Sequence, residues 1–239
     1  MNETRPVVKR LSFVRQTATV APDEFARRWH DEARRTVASM PAAARPRRLA
    51  HCVVCHRRER LTHDGVAIAW HDDESVSAHD EWIAQHQAAG SAVDVAATSV
   101  VRVRERTVFG DPWLEERWGH GGPQLLLIGL IEALPGMTRE DFADYWWLQH
   151  RPLANRLLPL SLQPLAYVHD YVLPGETTRW AGIGELYDGS VGVARQRGAW
   201  FDSPAAVALV ADEDRFLVRS SRGMLVTNHE VIINEGVIA

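Results

Sequence analysis

The chain contains one pattern twice. Asp23-Glu24-Phe25-Ala26-x-x-Trp29-x-x-x-x-Arg34 lies over Glu140-Asp141-Phe142-Ala143-x-x-Trp146-x-x-x-x-Arg151, and Leu49-Ala50 lies over Leu165-Ala166. An internal repeat constrains a fold more than any local propensity, because both copies must solve the same packing problem. A unit that exposes an apolar sheet face needs a partner to cover it. Two copies in one chain can supply that partner internally.

Periodicity fills in the units. Val7 to Arg15 alternates as a strand, and Pro22-Asp23 opens a helix with Phe25, Trp29, Ala33, Val37 and Met40 on one face. Leu49 to Arg57 and Val66 to His71 read as strands. The Asp72-to-Ser75 cluster starts a helix ending near Gly90, and Thr98 to Phe109 is an alternating strand. The Gly- and Pro-punctuated stretch 110–123 is a connector, with Trp113 and Trp118 packing it down. The second half gives a strand at Leu125–Glu132, a helix at Thr138–Leu158, and strands at Ala166–Leu173 and Trp180–Tyr187. A helical stretch follows at Ser203–Val218, divided at Asp212, and Met224–Ile233 closes the chain as a strand. Each half therefore reads β-α-β-β-α-β, the ferredoxin-like unit. The expected class is α+β: two tandem ferredoxin-like repeats forming a pseudo-dimeric barrel, with halves at 1–109 and 124–239.

The long second-half helix carries the chemistry-bearing residues. Thr138 caps it, with Asp141 three residues on. Phe142, Tyr145, Trp146, Gln149, His150, Leu153 and Leu157 fall on one face. His150 thus sits beside the core with Tyr145 and Trp146 as a wall, a setting that moves an imidazole toward useful proton transfer. Tyr167, His169 and Tyr171 share one face of the following strand, and Val168, Asp170 and Val172 share the other. Glu185, between Gly184 and Leu186, is expected to face the same cavity. Asp212 reads as a cap for a helix carrying Phe216.

Phe142-x-x-Tyr145-Trp146-x-x-x-His150-x-Pro152-Leu153 resembles the first-helix signature of EthD-domain proteins, members of the dimeric α+β barrel superfamily. Leu165 to Pro174 resembles that family's second strand, Ala211 to Phe216 its acidic helix start, and His229 to Ile232 its last strand. The resemblance covers about Gln124 to Glu235. It implies a chamber between helix and sheet, with Tyr167 at the family's recurrent tyrosine position. His169 and Tyr171 depart from the amide and histidine-like residues of the pattern.

The halves differ where this matters. Ala33 stands at the position of His150, and His51, Val53 and Cys55 stand at those of Tyr167, His169 and Tyr171. The first half is expected to close the barrel and the second to carry the site. His30 points off the apolar face and is expected in solvent. Cys52-x-x-Cys55-His56 matches a haem-attachment string, but in a strand the two thiols face opposite ways. Two buried thiols, without metal or covalent haem, are expected there.

A net charge of −4 gives no reason to expect nucleic acid or an acidic membrane surface. No apolar run is long enough to span a bilayer. With two cysteines and no signal peptide at the N-terminus, cytoplasmic residence is expected. No phosphate-binding loop, nucleophile elbow or Walker motif is present, so no nucleotide cofactor is expected. The resemblance implies a cofactor-independent lyase or isomerase acting on a small cyclic or aromatic-polyketide-like substrate, as a monomeric pseudo-dimer or a homodimer. His150, Tyr167 and His169 would be catalytic. Tyr145, Trp146, Tyr171, Glu185 and Phe216 would shape the substrate site. The alternatives are a cofactor-free monooxygenase, a haem- or ligand-binding barrel with His150 or His169 as axial ligand, and a non-catalytic accessory protein.

Overall fold

The computed structural model describes residues 7–57, 61–72, 75–86, 91–123, 125–219, 223–235 and 237–238. Eight strands close into an antiparallel barrel: β1 (Val7–Gln16), β2 (Arg48–Arg57), β3 (Gly65–Asp72), β4 (Val93–Phe109), β5 (Leu125–Ile131), β6 (Ala166–Val172), β7 (Gly182–Asp188) and β8 (Gly223–Asn234). The order around the barrel is β2-β3-β1-β4-β6-β7-β5-β8, and pairing of β8 with β2 closes it. A short ninth strand, β9 (Val237–Ile238), pairs with β8. Closure leaves the eight strands without a free edge among them, which removes the usual liability of an open sheet. The two seams are β4 with β6, where Val103 faces Val172, and β2 with β8, where Ala50 faces Val231.

Strand alternation divides the barrel wall into two faces. Leu11, Phe13, Ile68, Val101, Val103, Leu126, Ile128, Val168 and Ile183 point inward and are almost wholly buried. Each such side chain contributes about 1.5–3 kcal/mol by leaving water. In the centre lies Lys9, the only lysine of the chain and fully buried. Its ammonium is 2.5 Å from Glu105, 3.0 Å from Asp170 and 3.1 Å from Glu185. Burial, with Glu185 beside it, pushes Asp170 well above the ordinary carboxylate range. This upward shift eases the charge mismatch of three acids around one ammonium.

The helices lie outside. α1 (Pro22–Ser39) and α2 (Ser75–Gln85) cover the first half. The expected end of α2 near Gly90 falls outside the described residues. The connector is not irregular: Asp111–Gly119 forms helix α3, which brings Leu114 and Trp118 into the barrel core. Gly110 starts it at φ 94°, and a Cβ there would lie 2.4 Å from that of Ala166, so both conformation and space require glycine. β4 also begins earlier than the alternation suggests, at Val93.

In the second half, α4 (Arg139–Tyr145), a π-helical turn at Trp146–His150 and α5 (Arg151–Leu157) run as one element. Thr138 Oγ1 accepts from the Asp141 N–H at 3.0 Å, as its capping position predicts. α6 (Val191–Phe201), capped by Ser190, and α7 (Val207–Glu213) complete the cover. α6 escapes the sequence reading because Gly192, Gly198 and charged residues blur its apolar stripe. Asp212 belongs to the last turn of α7 and does not cap a following helix.

Each half packs a helix tryptophan onto a strand-opening glycine. A Cβ on Gly65 would meet the Trp29 ring at 2.5 Å, and one on Gly182 would meet Trp146 at 2.6 Å. Among the described residues, no helix is long and apolar enough to cross a membrane.

Candidate active site

His150 is set by the helix that carries it. The π turn inserts a residue into the helical repeat, a device common at functional sites. Trp146 and His150 both stay buried, whereas Gln149, expected on the apolar face, is rotated into solvent. From the opposite side, α7 delivers Asp212. One carboxylate oxygen lies 2.8 Å from His150 Nδ1, and the other accepts from the Tyr145 hydroxyl at 2.8 Å. Both His150 and Asp212 are 8% exposed, so the pair is shielded from bulk water. Tyr145 stacks on Phe216 with centroids 5.2 Å apart, and Phe216 also packs against the His150 ring at 4.9 Å. Burial and the bond to Asp212 push the Tyr145 hydroxyl above its ordinary pKa, so it remains a donor at neutral pH.

With Nδ1–H donating to Asp212, neutral His150 keeps its basic lone pair on Nε2. The ring lines a cavity of about 200 Å3 between the helices and the outer face of β5–β7. Its walls include Phe109, Leu127, Leu158, Leu186 and Phe201, and Tyr167 lines the same space. Arg197 borders it too, but its guanidinium is committed to Asp188, at 2.9 and 2.5 Å. The arrangement can take a proton from a substrate atom beside Nε2 and stabilise the resulting imidazolium through Asp212.

The remaining expected residues fall in three places. Trp146 and His169 form the layer beneath: their rings stack 3.6 Å apart at 12°. His169 is fully buried and outside the cavity lining, with Nδ1 3.1 Å from the Tyr171 hydroxyl. Burial, then the charges of His150 and Arg151, hold its pKa well below the ordinary value, so it is a neutral packing ring. Tyr171 packs against Trp146 at 5.6 Å. Tyr145 and Phe216 support His150 from behind. Glu185 is on the other side of the sheet altogether. It points into the barrel, 3.1 Å from Lys9, and accepts from Tyr187 at 2.7 Å. A strand residue two places from a cavity-lining one shares its face, but Glu185 is adjacent to Leu186, and adjacent residues point oppositely.

In the first half, His30 is buried, with Nδ1 2.6 Å from Glu230, and is not in solvent. Cys52 is buried and Cys55 exposed, so the pair of buried thiols is not found. Asp212 is the residue that sequence reasoning placed without its role. Its only signal was the acidic run Asp212-Glu213-Asp214 within the resemblance.

The EthD domain model matches residues 134–220, the segment that contains His150, Tyr167 and Asp212. Over these residues the chain is similar to EthD domains. Among curated proteins, none matches the sequence significantly. Among solved structures, an anthrone oxidase-like protein superposes with a TM-score of 0.57 at 12% identity, covering 96% of this chain and 94% of that one. A variant chlorite dismutase from Candidatus Nitrospira defluvii gives 0.53 at 7% identity, covering 94% and 92%. A provisionally assigned monooxygenase from Lactobacillus acidophilus NCFM gives 0.50 at 9%, covering 98% and 99%. At such identities the likeness is one of fold: an α+β protein with an eight-stranded antiparallel barrel. Most of the cavity lining lies within residues 134–220, while Phe109 and Leu127 come from strands outside them.

Proposed function

We propose that the EthD half is a cofactor-independent monooxygenase site for a small cyclic carbon acid of the phenolic or polyketide type. The observation that carries this reading is His150, anchored by Asp212, in the wall of a part-open cavity whose lining includes Phe109, Leu127, Leu158, Leu186 and Phe201. His150 Nε2 removes a proton from an activated C–H. Asp212 stabilises the imidazolium, and the Tyr145 hydroxyl holds Asp212 in place. Tyr167 donates to the enolate oxygen. The electron-rich enolate then reacts directly with dioxygen. In balance, one ring methylene and one dioxygen give one ring carbonyl and one water: the carbon is oxidised, one oxygen atom stays on it, and the other leaves with both methylene hydrogens. Apolar walls favour this step by keeping water from reprotonating the enolate. Similarity of fold to an anthrone oxidase-like protein and to a provisionally assigned monooxygenase supports oxygenation over the lyase or isomerase outcome.

The same deprotonation would begin a dehydration or ring rearrangement, which is the second reading. Haem fits poorly. A porphyrin needs more room than the cavity of about 200 Å3 provides. The architecture follows the same logic: we read the two halves as copies of one βαββαβ unit, facing each other as two subunits would. The shared strand order and the matching tryptophan–glycine contacts support this.

The test uses anthrone as a probe substrate with an oxygen electrode. The wild-type protein should consume one dioxygen per anthrone, and His150→Ala should not. Substrate turnover that continues without oxygen would favour the lyase or isomerase reading. Equal rates in wild type and His150→Ala would leave a non-catalytic accessory protein.

A further inference from the structure

The half without the EthD signature is hollow. A cavity of about 380 Å3 lies between α1, α2 and the outer faces of β1–β4, larger than the one beside His150. Its size has a sequence cause. Ala33 stands at the position of His150. Counting along β3 and β7 from the matching Gly65 and Gly182, Ala69 stands at that of Leu186. Small side chains at both places leave unfilled the volume that imidazole and leucine occupy in the other half. The space opens to the surface, and its volume falls within the range of small-molecule sites.

The lining specifies the occupant. Trp29, Val37, Met40 and Leu49 make apolar walls, and the Trp29 ring lies flat on His51 at 3.8 Å. His51 stands in β2 where Tyr167 stands in β6, and each lines its own half's cavity. The charged groups at the rim are already committed. Arg10 is bound to Asp80 at 2.5 Å and to Ser12, and Glu32 accepts from Ser91 and the Ala92 N–H at 2.9 Å. Neither offers a counter-charge to an ionised ligand. His79 is different. Its Nδ1 donates to the Ala44 carbonyl at 3.1 Å, which leaves the lone pair of the neutral ring on Nε2. Burial and the neighbouring Arg10 keep it neutral, with a pKa lowered to about 4. Val95 and Val100, also in the lining, are about 40% exposed and place apolar surface at the mouth (41% and 39%).

We propose that this cavity is a second binding site, taking a small neutral aromatic alcohol whose ring lies against Trp29 and Met40 and whose hydroxyl donates to His79. It is independent of the oxygenase reading, since it uses none of the residues around His150.

The experiment is calorimetric titration of the full chain with 2-naphthol, alongside its thermal melt. Wild type should bind two equivalents. Ala69→Leu and Ala33→Phe each write bulk into the first-half cavity and should remove one equivalent, or weaken it at least tenfold. Both should leave anthrone-dependent oxygen uptake unchanged. Two variants are used so that loss of folding in one, visible in its melt, leaves the other informative. Ala154→Phe, in the cavity beside His150, should remove the other equivalent. A single equivalent removed by Ala69→Leu but not by Ala154→Phe would keep this site and count against a small-molecule site in the EthD half. Unchanged binding in folded Ala69→Leu and Ala33→Phe, or no wild-type binding beyond what Ala154→Phe removes, overturns the proposal.

Discussion

A single hydrogen bond turns His150 from a core histidine into a candidate base. Its Nδ1 is 2.8 Å from Asp212, at 8% exposure for each partner. Replacing His150 with alanine should lower kcat on a turned-over substrate by roughly 10²–10⁴, the usual contribution of a positioned acid or base. Asp212→Asn keeps the shape but weakens the hold on the ring, and a loss of about 10²-fold is expected from misorientation. Steady-state rates at fixed pH, with circular dichroism as the folding control, check both. Rates within twofold of wild type in folded His150→Ala would remove this residue from the chemistry. His150 was legible in the sequence because helical spacing put it on an aromatic face. Asp212 was not, since 62 residues separate it from its partner and no local pattern links them.

At the level of the element, the helix-to-strand contact sets how deep each pocket sits. Trp29 and Trp146 can lie close to their sheets only because Gly65 and Gly182 present no side chain. Gly65→Ala and Gly182→Ala should each cost about 1–3 kcal/mol through displacement of the tryptophan, measured by urea denaturation. Gly182→Ala should also reduce activity, because Trp146 begins the π turn that ends at His150. Changes below about 0.5 kcal/mol in both would mean that the rings shift freely, and that this packing does not fix the helix. The π turn itself has no signature in the sequence. Regular 3.6-residue counting put Gln149 inward, and the wider turn put it outside.

The whole barrel is organised around one buried ammonium. Lys9→Met would strand Glu105, Asp170 and Glu185 together, and a loss of about 3–5 kcal/mol is expected at neutral pH. Asp170→Asn should change stability less, because burial and the neighbouring Glu185 already disfavour its charged form. Denaturation midpoints of the two variants compare these directly, and an equal loss in both would refute the assignment. A second global property follows from the histidines. His30, His51, His71, His79, His169 and His229 all have pKa values lowered by burial, His71 and His229 to about 3 and His79 to about 4. Folded and unfolded chains hold these rings neutral above about pH 6.5. Below it the unfolded chain takes up protons that the folded chain refuses, so stability falls as pH drops toward 4. Each ring contributes up to about 1.4 kcal/mol per pH unit. Melting temperatures at pH 7, 6 and 5 should decline progressively, and a flat profile would contradict the burial of these rings.

Local patterns were enough to determine the strands, the long second-half helix with its Thr138 cap, and the repeat of the tryptophan helix, since periodicity and capping act within a few turns of chain. Only the closed structure could decide which side of the sheet Glu185 faces, bring Asp212 to His150, bury Lys9 among three acids, and hollow the first half. Each of these depends on groups far apart in the chain meeting across a seam or a layer, and such meetings are set by packing rather than by neighbours in sequence.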